Sequence, residues 1–486
     1  MNNKTLTDLN PKQLWENFAK ICTIPRPSHH EEKIAAFMQN FGEKLNLPTI
    51  KDKYNNVIIK KPATPGMENC KTVILQAHLD MVPQKNSNIQ HDFTKDPIQA
   101  YIDGEYVTAK GTTLGADNGM GVAAIMTILQ ASDIQHSPIE ALFTSSEEDG
   151  MVGANNLNPE HLSGSILLNL DTEIEGEIDI GCAGGVITDI TLPYATTKVA
   201  SDSTAWQIKV TNLRGGHSGT DIHLQRGNAN KILNRLLWQT TNDCATQLKS
   251  FAGGSVANAI PREAAAIIVI PNKFTNNFKQ LLEQFNNTIK QELGEIDPDV
   301  KITATQTDLP KSVFNSTDQE KLLQAIYGCP NGVMGMSHAM KNLVETSTNL
   351  GMIKTESDCT KITTLQRSSS ESCKLTVATM VAAIFSLAGG KIEHSNAYPG
   401  WQPNPKSQIL QVAKKAYQEK FGNEPEIRAI HAGLECALFG DILPNLDMIS
   451  IGPTIKFPHS PDEKVYIPSV AKFWDFLLTI LKEIPK

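Results

Sequence analysis

Short apolar runs alternate with helically spaced ones along the first third of the chain. Residues 72–79, TVILQAHL, are apolar, short and rich in β-branched side chains, which predicts a strand. Residues 118–132, NGMGVAAIMTILQAS, place apolar side chains at helical spacing. Residues 139–146, IEALFTSS, and 165–171, SILLNLD, predict two further strands. The same texture returns near the other end. Residues 405–422, PKSQILQVAKKAYQEKFG, read as an amphipathic helix stopped by glycine, 446–454, LDMISIGPT, as a strand, and 469–484, SVAKFWDFLLTILKEI, as a last helix. Strands alternating with helices predict a mixed or largely parallel sheet covered on both faces.

The middle differs. After GCAGG at 181–185 come the strand-like stretches AWQIKVTNL at 205–213 and AAAIIVIP at 264–271, with a helix expected over 228–241. The longest apolar candidate, LTVATMVAAIFSLAGG at 375–390, is interrupted by Thr and Ser and ends in Gly-Gly. It falls short of the roughly 18–20 apolar residues of a membrane span and reads as a buried helix with a glycine stop. AYPGWQPNP at 397–405 marks the exit from this stretch. The expectation is one α/β domain made from residues 1–185 and 397–486, interrupted by an α+β domain over residues 186–396.

Composition narrows the class. A chain of 486 residues predicts more than one domain. Its net charge of -8 argues against a nucleic-acid partner. The opening MNNKTLTDLNPKQLWENF lacks the apolar core of a secretory signal, so neither export nor a membrane partner is expected. The eight cysteines are scattered and none forms a CxxC pair, which predicts reduced thiols in a cytoplasmic protein.

Five places carry candidate chemistry. His78 and Asp80 in QAHLDMV share a face of an extended segment, as a metal ligand and the acid that orients it would. Asp117 follows a glycine-rich turn, where an N-cap is the plain alternative. Glu147 and Glu148 stand side by side in TSSEEDG, and as successive strand residues they would point to opposite faces. Asp171 ends an apolar run, and His459 lies in a Pro-rich loop. Taken alone, each reads better as a cap or a solvated loop residue. Together, two imidazoles and three carboxylates (His78, Asp117, Glu148, Asp171, His459) supply the ligands of two catalytic ions with one carboxylate shared.

At these residues the chain resembles the co-catalytic zinc aminopeptidase and carboxypeptidase superfamily, and within it the bacterial aminoacyl-histidine dipeptidase family (Xaa-His dipeptidases, peptidase D). The resemblance rests on LQAHLDMVPQKN, GTTLGADNG, GCAGG, LRGGHSG, NAIPREA, YPGWQP, HAGLECALF and PHSPDE, in that order over nearly the whole chain. It implies a zinc-peptidase catalytic domain with a mixed sheet between helices, and an inserted α+β lid that also carries the contacts of a homodimer. It implies two zinc ions, with manganese or cobalt as substitutes. Asp117 would bridge them, His78 and Asp171 complete one site, and Glu148 and His459 the other. Asp80 would orient His78, Glu147 would be the general base, and His217 would stabilise the oxyanion. Asn258, Arg367 and Gly433 would hold substrate, with a surface arginine near a turn as the plain alternative for Arg367. The implied activity is hydrolysis of small peptides, with preference for Xaa-His dipeptides including β-alanyl-His. The alternatives are a broader dipeptidase, an N-acyl-amino-acid hydrolase, and a non-catalytic binding protein of the same fold.

Overall fold

The computed structural model describes residues 5–486, which form two compact units. The first comprises the described residues up to Gly181, with Pro403–Ala429 and Leu434–Lys486; the second comprises Cys182–Gln402 and Ile430–Gly433.

The first unit is built on an eight-stranded sheet. Four neighbours at its centre run parallel: Ile139–Thr144, Val73–His78, Ile166–Asn169 and Asp447–Ser450. Their sequences are near-continuous Val, Ile, Leu and Phe because both faces are covered. Register pairs His78 with Thr144, Gln76 with Asn169, and Asn169 with Ser450, so the carboxyl ends of all four strands lie along one edge. Helix Ala116–Gln130 is apolar on every side and buried from Ala116 to Leu129. A small four-stranded antiparallel sheet joins Ala100–Asp103 and Tyr106–Ala109 to Lys464–Tyr466 and Ile455–Lys456. It brackets the loop that carries His459.

The second unit has an antiparallel nine-stranded sheet. Gly184–Pro193 shows the burial alternation of a sheet with one face on a core. Helices Ala229–Cys244, Thr275–Leu293 and Ser316–Gly328 add to one large apolar cluster that includes Phe251, Phe278, Phe314 and Phe385.

One expectation needs correction. The apolar run at 375–390 lies in helix Glu371–Leu387, but this helix is not buried all round. Val377, Ala378, Val381 and Phe385 face the core, while Leu375, Met380 and Leu387 are exposed. Gly389, at φ +92°, ends it as expected of a glycine stop. Among the described residues no helix is long and apolar enough to cross a membrane.

Candidate metal centre

The carboxyl edge of the four parallel strands is where open α/β sheets place their sites. His78 is the last residue of its strand and is buried. Glu147 and Glu148 follow the strand ending at Thr144, and Asp171 follows the one ending at Asn169. Asp117 lies in the first turn of Ala116–Gln130, yet its φ/ψ of -78°/111° is not helical. Gly115 holds the cap position, so Asp117 is not the N-cap. The Asp117–Asn118 peptide bond is cis.

This turn sets each oxygen of Asp117 against a different imidazole. Oδ1 lies 3.0 Å from His78 Nε2, and Oδ2 lies 3.3 Å from His459 Nε2. Glu148 Oε2 is 2.9 Å from His459 Nε2, and Asp171 Oδ1 is 3.4 Å from His78 Nε2. One potential ligand atom from each of His78, Asp117 and Glu148 falls within a 4.8 Å cluster.

Asp80 ties this set to the glutamate pair. Its Oδ1 sits 3.3 Å from His78 Nδ1, an ion-pair distance without hydrogen-bond geometry, and accepts the Glu147 N–H at 2.9 Å. Its Oδ2 accepts the Glu148 N–H at 3.2 Å and the Ser28 hydroxyl at 2.8 Å. Burial opposes its charge, but His78 and these donors hold its carboxyl below the usual range. The expected reason for the two glutamates to diverge was strand alternation, and that is corrected. The strand stops at Thr144, and Ser146 turns the chain at φ +48°. Glu31 braces that turn, accepting the Ser146 N–H at 2.9 Å and its hydroxyl at 2.6 Å.

Too many acids converge here for all to be charged. Burial lifts Glu147 well above the usual carboxylate value, with Asp171 and Glu148 adding repulsion. Burial and then Asp117 push Glu148 up to about 7. Asp171 is raised by burial and by Asp117. Glu173 and Glu435, also driven mainly by burial, reach about 8. Asp117 goes the other way: burial opposes its charge, but His459 and His78 outweigh it. Hydrogen bonds to Asp117 and Glu148 raise His459 to about 11. Burial works against His78, yet Asp171, Asp117 and Asp80 hold it well above the usual imidazole value.

So many buried carboxylates around two imidazoles call for a cation. Glu148 Oε1 is buried with no hydrogen-bond partner, the kind of orphan that a ligand should satisfy. Carboxylate oxygens and imidazole nitrogens without a thiolate suit a divalent ion. The residues present therefore fit a metal.

Several participants were missed from sequence. Arg26 is buried and donates to the carbonyls of Leu79 at 2.9 Å and Asp80 at 2.7 Å, and also to that of Gly115. Asn118 donates to Asp171. Glu463 accepts from the backbone beneath Asp117. Nothing local marks Arg26; Asn118 and Glu463 fall in motifs already singled out, GTTLGADNG and PHSPDE, but their roles were not read from them.

Four predicted residues, His217, Asn258, Arg367 and Gly433, belong to the second unit. Arg367 is not a surface residue near a turn. It lies on strand Cys359–Ser368, is 5% exposed, and donates to the Tyr398 hydroxyl at 2.8 Å. His217 Nε2 is 3.5 Å from Arg367 Nη2. His217 Nδ1 accepts the N–H groups of Gly219 at 3.2 Å and Thr220 at 3.0 Å. An acceptor Nδ1 places the proton of the neutral ring on Nε2, the nitrogen that faces Arg367. Burial and the Arg367 charge lower His217 to about 4. The Asn258 carbonyl accepts the Ser218 N–H at 2.8 Å, one residue from His217. Gly433 closes the short segment Ile430–Gly433, which also carries His431. The His431 ring meets the Ser347 hydroxyl at 2.7 Å, and burial followed by Arg367 lowers it to about 3.

The sequence profile of Peptidase family M20/M25/M40 matches residues 74–483. Cytosol non-specific dipeptidase of Escherichia coli (strain K12) is 44% identical over 480 residues, 99% of both chains. The solved aminoacylhistidine dipeptidase from Vibrio alginolyticus aligns at TM-score 0.93 with 46% identity, covering 99% of each chain. Aminopeptidase PepT from Bacillus cereus shares the fold at TM-score 0.58 and 16% identity, covering 98% of this chain and 99% of its own.

Proposed function

The chain belongs to Peptidase family M20/M25/M40, and on that premise we propose that it is a metal-dependent dipeptidase that hydrolyses Xaa-His dipeptides. The observation that carries the metal dependence is Asp117, whose two oxygens face His78 and His459 separately while Glu148 and Asp171 flank them; the Xaa-His preference rests on the family resemblance. His78 and Asp171 would hold one divalent ion and Glu148 and His459 a second, with Asp117 shared; zinc is the expected metal. When bound, such ions make water a stronger acid and polarise a carbonyl.

The remaining work belongs to side chains. Glu147 takes the proton of the attacking water and returns it to the departing amine. A carboxyl held above its usual range by burial is suited to both halves of that cycle. Asp80 fixes the backbone of Glu147 and faces His78, so base and ligand share one brace. In the second unit, the Nε2–H of neutral His217 donates to the developing oxyanion. The Arg367 guanidinium reads the peptide's C-terminal carboxylate, with Asn258 and Gly433 completing substrate binding. We place the protein in the cytoplasm as a homodimer, which the exposed apolar side chains of Glu371–Leu387 support.

A second reading, a dipeptidase of broad specificity, is favoured by the 44% identical relative named non-specific. A panel of Xaa-His dipeptides, other dipeptides, tripeptides and N-acetyl amino acids, run with metal analysis, tests both. A kcat/KM for Xaa-His at least tenfold above other dipeptides is expected. Equal rates favour the broad reading, preference for N-acetyl amino acids excludes both, and no turnover with any added metal leaves a binding protein.

A further inference from the structure

Glu463 holds four successive backbone amides with one carboxylate. Oε2 accepts the N–H groups of Leu114 at 2.7 Å and Gly115 at 2.9 Å, and Oε1 those of Ala116 at 2.8 Å and Asp117 at 3.3 Å. These amides open helix Ala116–Gln130, where backbone donors have no partner within the helix. The local sequence, Leu-Gly-Ala, offers no side chain to satisfy them. The acceptor comes instead from a residue more than 340 positions away.

Glu463 also ends the loop that presents His459. From Lys456 to Asp462 no residue is buried, and Phe457 and His459 sit at φ +55° and +58°. The side-chain bonds of Ser460 stay inside the loop, to Phe457 O at 3.0 Å and from the Asp462 N–H at 3.2 Å. Glu463 is the first buried residue after it, and Thr108 donates its hydroxyl to the Glu463 carbonyl at 2.8 Å. Another carboxylate beside so many acids is costly unless its oxygens are saturated. Four N–H groups saturate them, and the charge of Arg26 acts on the same carboxyl.

We propose that Glu463 is a positioning residue that fixes the His459 loop against the Asp117 turn, setting the distance between two metal ligands that lie far apart in sequence. It touches no substrate and acts through His459. The inference rests on the ligand assignment made above. Glutamine is a sharp probe: it keeps one acceptor oxygen and turns an NH2 group against amides that themselves donate.

The test is competition for zinc between a chromophoric chelator and the metal-free protein, for wild type, E463Q, H459A and the double variant. E463Q is expected to weaken zinc binding about 10- to 100-fold, as loss of a group that orients a ligand does. In the H459A background the same change should cost no more than about twofold, because the ligand it positions is gone. A helix cap with no bearing on His459 gives equal losses in both backgrounds and overturns the proposal, as does E463Q binding like wild type. Should E463Q fail to fold, T108V takes its place, since it removes only the hydroxyl on the Glu463 carbonyl. A smaller loss, again confined to the background with His459, is expected; no change overturns the proposal. If wild type itself binds no zinc, the ligand assignment has failed; if H459A weakens binding and neither E463Q nor T108V does, only the role of Glu463 has.

Discussion

The two units gather opposite kinds of charge. In the first, Asp117, Glu147, Glu148, Asp171, Glu173 and Glu435 crowd together around two imidazoles. In the second, Arg367 keeps His217 and His431 neutral, with burial doing most of the work. A surplus of buried acid calls for a cation. A buried guanidinium beside a donor imidazole calls for an anion. Each unit, taken by itself, is therefore suited to a different kind of group: a cation in the first, an anion in the second.

The largest effect should come from splitting the glutamate pair. Glu147→Ala is expected to lower kcat at least 100- to 10,000-fold, the range for a lost general base, with metal content by elemental analysis unchanged. Glu148→Ala should lose metal instead. If Glu147→Ala strips the metal, the division of labour is wrong. Next comes His217→Ala, expected to cost about 100- to 1000-fold in kcat with little change in KM, as for a lost oxyanion donor. A pure KM effect would move His217 from the transition state to substrate binding. Smaller again is Arg367→Lys. It should raise KM about 10-fold, because an ammonium cannot make the two parallel bonds of a guanidinium, and it should leave zinc affinity untouched.

The smallest effect is also the one that sets the units apart by sign. Glu148 and Glu435 have folded pKa values of about 7 and about 8 against an ordinary 4.5, so between these values the folded state holds more protons. Metal-free protein should then lose stability as pH rises through that window. His431 is lowered from 6.5 to about 3, so there the unfolded state holds the extra proton and stability is lost as pH falls. Each slope is at most about 1.4 kcal/mol per pH unit per group. A divalent ion held by Glu148 would take the proton's place there, and adding it should flatten the first trend while leaving the second. Melting temperatures at pH 5 to 8, with and without chelator, read both; matching slopes in the two conditions would contradict the metal assignment.

Much of this was legible in the chain because its signals are local. The runs at 72–79, 139–146 and 165–171 are strands because fully buried parallel strands are apolar throughout. Glu148 and Asp171 stood out because each follows or ends such a run, and His78 because it closes one. Helix Glu371–Leu387 was misread as buried because an apolar outer face carries the same letters as an inner one. The plain alternative for Arg367, a surface residue, rested on the polar residues around it, while the structure seats it on a buried strand.

The sequence by itself determined the alternation of strands and helices and the kinds of donor atom at the strand ends. Periodicity and residue chemistry are properties of short segments. Only the tertiary structure decided which of them meet. That Asp117 has an imidazole on each oxygen, that Asp80 braces both glutamates, and that Glu463 caps a helix more than 340 residues away all follow from parallel register and loop closure. Such contacts leave no local trace, because the two partners satisfy each other's hydrogen bonds only once the chain has closed around them.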